Sequence, residues 1–382
     1  MYKFQFDINK YLEELETLVN TDSGSRDYEG TRKVANYFEK KYKTLGWTVK
    51  SYNFDDGIGP CLEIRNTDKE EIDILLVGHM DTVFPSGTSE ERPFAIKEDR
   101  AYGPGVADMK SGLLSIYYVL ESLNLDDLKM LPSICVALNS DEEISSIFSC
   151  EWIKKLASKS RYALVLEPAR KNGDLVKERK GILKYNIELA GVAAHAGVEP
   201  EKGISAINEL AYWIMEINQL TNFEIGTTLN VGIISGGTAA NVVAEKANAV
   251  IEMRYKHEGE KIRLENTIED LLNHAKSIGI KSYVKRIGFR PTMNPTEKSE
   301  KLFRIVDNVG KKLNVDFSWV ATGGGSDANF IAAEGVPTVD ALGPIGGGSH
   351  GIDEYIEINS IEPRFKLLRE VIIEVLNLRE KQ

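Results

Sequence analysis

The sequence predicts an α/β protein that carries a smaller, inserted α+β domain, and three observations lead to this fold class. Apolar runs such as "DILLVG" (73–78) and "SICVALN" (133–139) alternate with amphipathic segments, an order typical of helices packed on both faces of a largely parallel sheet. After residue 181 the predicted order changes to βαββαβ, as in ferredoxin-like domains. The 382 residues also exceed what one hydrophobic core usually serves.

The elements of the first part follow from apolar periodicity and its interruptions. Apolar residues from Tyr11 to Val19 recur at helical spacing and predict a first helix. A second helix over 28–45 ends at Gly46, because glycine favours helix ends. We then expect strands at 47–53, 60–66 and 72–78, a helix from about Met109 to Leu123, a strand at 133–139, a helix near 146–158 and a strand at 162–167.

The inserted segment has its own sequence of elements. Strands are predicted at 182–190, 227–235, 247–255 and 280–288, with helices at 203–220 and 260–278. From about Pro291 the earlier alternation resumes, with a helix near 299–313, a strand at 337–342 and a closing helix from 361. We therefore expect residues 1–180 and 291–382 to form one discontinuous domain, interrupted by the domain of residues 181–290.

Charge and composition exclude several classes of protein. A formal net charge of −11 argues against a nucleic-acid or anionic-membrane partner, because phosphate binding relies on clustered Lys and Arg. The first residues lack the continuous apolar run of a signal peptide, and no stretch reaches the ~18 apolar residues of a membrane span. We therefore predict a cytoplasmic protein whose partners are small molecules or proteins. The three cysteines are unclustered, which predicts neither a disulfide framework nor a zinc–thiolate site.

Acids and histidines follow successive predicted strands of the α/β part. They occur in "GHMDT", "GPGVADMKSG", "NSDEEIS" and "VLEP", and a fifth group is the late segment "GGGSHGIDEY". Ligands of open α/β sheets bind at the carboxyl ends of the strands, so the fold brings these segments together. Crowded carboxylates repel unless a cation lies among them. The candidate residues are His79, Asp81, Asp108, Asp141, Glu142, Glu143, Glu167 and His350.

A mixed set of imidazoles and carboxylates indicates a two-metal hydrolytic site. Zinc takes nitrogen and oxygen ligands where cysteine is absent, and a bridging carboxylate screens two nearby cations. Glu142 and Glu143 are adjacent, so their side chains diverge, and one can bind metal while the other takes a proton from water. Taken singly, each motif is more often a hydrogen-bonded histidine, a solvated surface or a helix start than a functional site; all five together favour the metal site.

Residues elsewhere have weaker signals. The glycine run "TGGGSD" (322–327) fits a close backbone approach to a substrate or a plain loop, and Asn241 ends the turn "GGTAAN". Arg254 and Arg290 lie in or beside strands, where ordinary ion pairs would also explain them. His195, in "AAHAG", lies among small residues that leave its ring accessible.

The order of these motifs resembles the co-catalytic dizinc metallopeptidases of the carboxypeptidase G, aminoacylase, acetylornithine deacetylase and succinyl-diaminopimelate desuccinylase family. The resemblance covers nearly the whole chain and is closest to the glutamate carboxypeptidase branch. It implies a zinc-peptidase α/β/α sandwich with an inserted dimerisation or lid domain. The motifs that carry it are "GHMDTV", "GPGVADMKSG", "SDEE", "LEP", "AAHAG", "GGTAANVV", "EMRY", "TGGGSD" and "SHGIDEY".

The resemblance implies two zinc ions per subunit, with cobalt or manganese as substitutes. The ligands of one ion would be His79, Asp108 and Glu167, and those of the other Asp108, Glu143 and His350. Asp108 would thus bridge the two ions. Asp81 would orient His79, and Glu142 would be the general base that activates a water between the ions.

The resemblance also implies a small amide substrate with a free carboxylate. Thr322 and Arg290 match positions that bind that carboxylate, and Asn241 and Arg254 would line the cleft. His195 would stabilise the oxyanion of the tetrahedral intermediate in the partner subunit of a homodimer formed through the inserted domain. A further basic residue is expected after "LEP", and Lys177, Arg179 and Lys180 compete for that role.

Three functions compete at this point. The first is a zinc carboxypeptidase or dipeptidase that acts on a small peptide. The second is an N-acyl amino acid deacylase, which needs the same residues but holds the other side of the amide. The third is a metal-binding regulatory protein without turnover, which loss of Glu142 or of a ligand would indicate; none of these residues is missing.

Overall fold

The computed structural model describes residues 5–123 and 131–378. They form two compact units, a larger one of the described residues up to 178, of 293–322 and of those from 326 on, and a smaller one of residues 179–292 and 323–325. The sequence analysis placed Gly323–Gly325 in the larger domain. Their carbonyls instead accept hydrogen bonds from the smaller unit, Gly323 from Arg254 Nη1 at 2.7 Å and Gly324 from Arg179 Nη1 at 3.0 Å.

The larger unit is built on a six-stranded mixed sheet. Its strand order is β1 (Thr48–Tyr52), β2 (Cys61–Arg65), β6 (Ile134–Asn139), β3 (Ile72–His79), β7 (Ser160–Val165) and β14 (Thr338–Val339). The pairs β6–β3, β3–β7 and β7–β14 are parallel, whereas β1 and β2 are antiparallel additions at one edge. Every residue of β3 and of β6 is buried, as an apolar strand covered on both faces should be.

Helices cover this sheet and form its core. The larger unit contains α1 (Ile8–Val19), α2 (Tyr28–Thr44), α3 (Thr88–Glu91), α4 (Ser111–Ser122), α5 (Cys150–Ala157), α8 (Glu297–Leu313), α9 (Ala328–Ala333) and α10 (Ile358–Leu378). The apolar faces of α1, α2, α4, α8 and α10 pack with β2, β3 and β6 in one buried cluster. Close packing restricts Gly78, where a Cβ atom would lie 2.7 Å from Leu113 Cδ2 of α4.

Short strands complete the larger unit, and the sequence analysis did not predict them. One small sheet has the order β15 (Gly346–Gly347), β16 (Tyr355–Glu357), β5 (Arg100–Tyr102) and β4 (Ala95–Lys97). A second sheet pairs β13 (Trp319–Thr322) with β8 (Leu175–Arg179). Each of these strands has only two to five residues, so its alternation signal is weak.

Two predicted helices begin later than their apolar patterns suggested. The helix expected from Met109 is α4, which begins at Ser111, because Asp108 and Met109 have non-helical backbone angles. The helix expected from 146 is α5, which begins at Cys150, because Ser145 and Ser146 have positive φ angles of 74° and 51°. The first residues of α4 and α5 thus follow shortly after candidate site residues, Asp108 and Glu143 respectively.

The smaller unit has the predicted order βαββαβ. Its elements are β9 (Gly181–Ala190), α6 (Ala206–Asn218), β10 (Thr228–Gly236), β11 (Lys246–Tyr255), α7 (Glu258–Asn273) and β12 (Lys281–Arg290). The strands form an antiparallel sheet in the order β10–β11–β9–β12. One face packs with both helices around the buried Trp213 and Leu264. Among the described residues, no helix is long and apolar enough to cross a membrane.

Candidate metal centre

The centre begins at the carboxyl end of β3, a strand that is buried throughout. His79 is its last residue, and only 1% of the His79 side chain is exposed. The ring Nε2 lies 3.0 Å from Asp108 Oδ1 and 3.7 Å from Glu167 Oε1, which follows β7. Because β3 and β7 are parallel neighbours, their carboxyl ends deliver both side chains to one edge. We call His79, Glu167 and Asp108 Oδ1 the inner half-site.

The second oxygen of Asp108 faces a different histidine. His350 Nε2 lies 3.4 Å from Asp108 Oδ2 and 3.2 Å from Glu143 Oε2. We call His350, Glu143 and Asp108 Oδ2 the outer half-site, because 56% of the His350 side chain is exposed. One carboxylate thus stands between two imidazoles, with a further carboxylate beside each. This arrangement fits a carboxylate that bridges two cations.

Asp81 supports three residues of the centre at once. His79 Nδ1 lies 2.9 Å from the backbone oxygen of Asp81 and 3.5 Å from Asp81 Oδ1. The Asp81 carboxylate accepts hydrogen bonds from the backbone N–H groups of Glu142 and Glu143, both at 3.1 Å, and from Ser25 Oγ at 2.7 Å. The contact to Nδ1 leaves Nε2 of His79 to face the carboxylates.

Glu142 begins a short 3₁₀ turn over Glu142–Ile144 that follows β6. It is buried, and its backbone N–H donates to Asp81, the residue that also contacts His79. Glu142 is therefore connected to the inner half-site through Asp81. Glu143, the next residue, points its carboxylate to His350 instead.

The carboxylates perturb one another and the histidines. Burial raises the pKa of Glu167 well above its usual range and the charge of Asp108 adds to this, and burial also raises the pKa of Glu143. Burial opposes the charged form of Asp108, but hydrogen bonds from His350 and His79 outweigh it and lower the pKa of Asp108. Hydrogen bonds to Asp108 and Glu143 raise the pKa of His350 to about 10.

The donor set fits a divalent cation. Ligand atoms of His79, Asp108 and Glu143 lie within 4.8 Å of one another. Glu143 Oε1 is buried and has no hydrogen-bond partner among the described residues, although a buried carboxylate oxygen is costly to leave unsatisfied. A cation at the outer half-site would satisfy this oxygen and offset the crowded negative charge.

A second layer of buried carboxylates lies behind the Glu142–Glu143 turn. Asp141 accepts hydrogen bonds from the backbone of Phe148 and Ser149, and burial raises the pKa of Asp141 to about 6. Asp327 accepts a hydrogen bond of 2.8 Å from Asn139 Nδ2 and one from Ser146 Oγ. The sequence analysis placed Asp141 among the candidate site residues, but its contacts are those of a support for the turn.

Two supporting residues were not predicted from the sequence. Ser25 precedes α2 and bonds to Asp81, 56 positions later in the chain. Glu354 lies within the motif "SHGIDEY", yet only His350 was selected from it. The sequence feature that could have identified Glu354 is its position between a glycine-rich segment and the short strand β16.

The predicted substrate residues belong mainly to the smaller unit. His195 and Asn241 are both exposed, and their segments are joined by a 2.9 Å hydrogen bond from Ala196 N to Asn241 O. Arg254 pairs with Glu252 at 2.6 Å, and its strand partner is Ile182, which also pairs with Arg290. Thr322 ends β13 in the larger unit.

The competing basic residues after "LEP" differ in their contacts. Arg179 is buried and donates to Gly324 O, whereas Lys177 and Lys180 are partly exposed. Burial lowers the pKa of Lys180, and the nearby charges of Lys256 and Arg254 lower it further. Lys180 therefore belongs to a group of cations on the smaller unit.

Two histidines and several carboxylates, gathered from strand ends of an α/β sheet and from the loops beside them, are typical of a metal-binding hydrolase. The comparison with known proteins makes this specific, since the chain belongs to Peptidase family M20/M25/M40, whose sequence profile matches residues 75–374. The membership agrees with the family suggested by the motifs and confirms the α/β peptidase fold. The chain is accordingly a metallohydrolase that acts on amide bonds in small substrates.

Three relatives illustrate the range of the family. The chain is 30% identical over 370 residues to carboxypeptidase G2 from Pseudomonas sp. (strain RS-16), covering 94% of this chain and 88% of the relative. It is 27% identical over 318 residues to acetylornithine deacetylase from Buchnera aphidicola, covering 78% and 80%. Its fold matches the crystal structure of aminopeptidase PepT from Bacillus cereus with a TM-score of 0.74 at 25% identity, covering 97% and 99%.

Proposed function

We propose that the protein is a carboxypeptidase or dipeptidase that removes a carboxylate-bearing residue from a small peptide, with two zinc ions in the centre. The observation that carries this proposal is the position of Asp108, whose two oxygens lie 3.0 Å from His79 Nε2 and 3.4 Å from His350 Nε2. The inner half-site would hold one ion and the outer half-site the other. Cobalt and manganese share these ligand types and would substitute.

The chain's own residues then divide the chemistry. When bound, the two ions would lower the pKa of a water molecule and polarise the amide carbonyl. Glu142 accepts the proton of the water and returns it to the leaving amine, since it is connected to the inner half-site through Asp81 and is absent from both proposed ligand sets. Asp81 contacts both the Glu142 backbone and the His79 ring, and so fixes their positions relative to each other. His195 donates a hydrogen bond to the oxyanion of the tetrahedral intermediate.

The substrate class rests on cationic residues of the smaller unit. Arg290 and Thr322 would bind the terminal carboxylate, and Arg254 and Asn241 would line the cleft. The similarity to carboxypeptidase G2 supports the proposed carboxypeptidase function. An N-acyl amino acid deacylase is the second candidate, and its support is the similarity to acetylornithine deacetylase and to succinyl-diaminopimelate desuccinylases.

The placement of the predicted substrate residues supports a homodimer. His195 follows the end of β9 and Asn241 precedes β11, so both lie at one end of the smaller sheet. Arg254 and Arg290 lie at the other end, beside the beginning of β9. Strands of about ten residues separate the two ends by roughly 30 Å. One small substrate contacts both groups only if one group comes from a partner subunit.

The edge of the smaller sheet supports the same proposal. Strand β10 is at the edge of the sheet and pairs with β11 alone among the described strands. Its Ile233 and Ile234 are 62% and 61% exposed. An edge strand with exposed apolar side chains favours pairing with a second copy.

The cytoplasmic location stays a prediction of the sequence.

A substrate screen tests the function. Zinc-loaded and chelated protein are incubated with dipeptides, acyl-glutamates and acetylated amino acids, and release of the free amine is measured. We expect zinc-dependent release from peptides or acyl-glutamates with a free carboxylate. Preferential release from acetylated amino acids would support the deacylase, and no release by zinc-loaded protein would contradict both.

A further inference from the structure

The carboxylate of Glu354 lies buried under the loop that carries Asp108. Only 1% of Glu354 is exposed. Its Oε1 accepts hydrogen bonds from the backbone N–H groups of Ala107 and Asp108, and its Oε2 accepts one from Gly105, all at 2.9 Å. One side chain thus binds three of the four backbone N–H groups between residues 105 and 108.

The loop depends on this carboxylate for its hydrogen bonds. Gly105 has a φ of +73°, and Asp108 has φ −113° and ψ 90°, so the backbone leaves regular helical geometry here. The N–H of Val106 donates to Gly103 O, and the other three N–H groups donate to Glu354. Buried backbone N–H groups are costly to leave unsatisfied, and the two carboxyl oxygens of Glu354 accept from all three.

Glu354 also anchors the segment that carries His350. It lies four residues after His350 and directly before β16, which pairs with β5 through Tyr355 and Tyr102. The intervening segment is held at one more point, where Arg92 Nη1 donates to Gly351 O at 3.1 Å. Glu354 therefore connects the backbone of Asp108 to the segment of His350.

We propose that Glu354 is a positioning residue that fixes Asp108 relative to His350 and thereby sets the metal affinity of the outer half-site. This rests on the proposed function, in which Asp108 and His350 are metal ligands. The inner half-site shares Asp108 but should depend less on Glu354, because its histidine, His79, is fixed by β3 and by Asp81, whereas His350 lies in the segment that Glu354 anchors. Residues that orient metal ligands typically change metal affinity by about 10- to 100-fold when they are substituted.

The test compares Glu354→Gln with Glu357→Gln. Glu357 is a matched control, because it lies three residues further on, is partly exposed and pairs with Arg100 at 3.6 Å. Zinc affinities are measured by titration against a competing chelator, and bound zinc is counted by native mass spectrometry. We expect Glu354→Gln to weaken the binding of one of the two zinc ions by about 10- to 100-fold and to weaken the binding of the other distinctly less. Glu357→Gln should match wild type at both.

Kinetics provide a second readout. At limiting zinc we expect Glu354→Gln to lower kcat, added zinc to recover it, and KM to stay near wild type. The proposal would be overturned if Glu354→Gln bound both zinc ions with wild-type affinity, or if it bound both ions more weakly by the same factor. Wild-type protein that binds no zinc would overturn both this proposal and the proposed function, so the two failures are distinguishable.

A measurement on the wild-type protein tests the proposal even if the Glu354→Gln variant fails to fold. Hydrogen exchange is followed by mass spectrometry in peptides that cover residues 103–109. We expect slow exchange at Gly105, Ala107 and Asp108 with and without zinc, because Glu354 binds these N–H groups in both states. Exchange as fast as in an unfolded peptide would overturn the proposal. Glu354→Asp, which keeps the charge but shortens the reach, should weaken the same zinc ion.

Discussion

At the scale of single residues, the two histidines of the centre differ in their environment. His79 is enclosed at the end of a buried strand, whereas more than half of the His350 side chain is exposed. Both rings nevertheless lie against carboxylates, and the pKa of each is raised. Metal binding must displace these protons, because a metal ligand uses the neutral imidazole.

Glu142→Gln is expected to keep the metal ions and lose most turnover. The amide preserves the shape of the side chain but cannot accept the proton of water, and general bases contribute about 10²- to 10⁴-fold to rate. Metal content by mass spectrometry and steady-state kinetics together check this. A variant with near-normal kcat would show that Glu142 is not the base.

Zinc affinity is expected to rise with pH between about 6 and 8. In metal-free protein the hydrogen bonds to Asp108 and Glu143 raise the pKa of His350 from its usual 6.5 to about 10. Its contribution to stability is therefore fully present below pH 6.5 and is lost as pH rises through about 10. Zinc binding should release protons, which calorimetry in buffers of different ionisation enthalpy measures. Proton uptake, or affinity independent of pH, would contradict this protonation state.

Arg290→Ala is expected to weaken substrates with a free terminal carboxylate more than their amidated analogues. A charge-assisted hydrogen bond to Arg290 exists only with the carboxylate. Arg286→Ala is the matched control, because Arg286 lies on the same strand, is exposed and pairs with Glu265 at 3.2 Å. The measurement is kcat/KM for each free-carboxylate substrate and for its amidated analogue. An equal loss of kcat/KM on both substrates would show that Arg290 has a structural role.

At the scale of elements, parallel strands bring the centre together and the turns after them set its details. Strands β3, β6 and β7 end at the same edge, which gathers His79, Glu142 and Glu167 from distant positions. Asp108 and His350 instead come from irregular segments, and Glu354 provides the hydrogen bonds that hold the first of them.

Replacing Ile233 and Ile234 of β10 by lysine is expected to convert the proposed dimer to a monomer. Two charges on an exposed edge strand oppose its pairing with a second copy. Ile262→Lys on α7 is the control, because Ile262 is 50% exposed in the same unit but lies on a helix. Sedimentation velocity measures the outcome. A double variant that sediments like wild type would place the contact elsewhere.

At the scale of the whole molecule, the two units carry different parts of the proposed site. The metal-ligand candidates lie in the larger unit, and His195 lies in the smaller one. An isologous dimer would supply each centre with His195 from the partner.

Mixing His195→Ala with Glu142→Gln is expected to restore activity when subunits exchange. One centre of each heterodimer would then combine a wild-type Glu142 with a wild-type His195 from the other chain. At most half of the centres in a heterodimer recover, and activity should grow with exchange time. If mass spectrometry shows exchange and no activity returns, His195 acts within its own chain or has no catalytic role.

The sequence by itself determined the fold class and the group of candidate metal ligands. Buried strands such as β3 and β6 are largely apolar, so their positions follow from a local pattern. His79, Glu142, Glu143 and Glu167 lie at the ends of such strands or within a few residues of them, and parallel pairing makes their convergence predictable. His350 was identified through its motif, since no strong periodicity precedes it.

Only the tertiary structure decided how these residues are held. That Asp108 presents one oxygen to each histidine, that Asp81 bonds to the Glu142–Glu143 backbone, and that Glu354 binds the Asp108 loop are contacts between segments distant in sequence. Periodicity reports which face of an element is buried, but it carries no information on which irregular loops meet. Those contacts depend on backbone angles and on buried hydrogen bonds that form only when the whole domain packs.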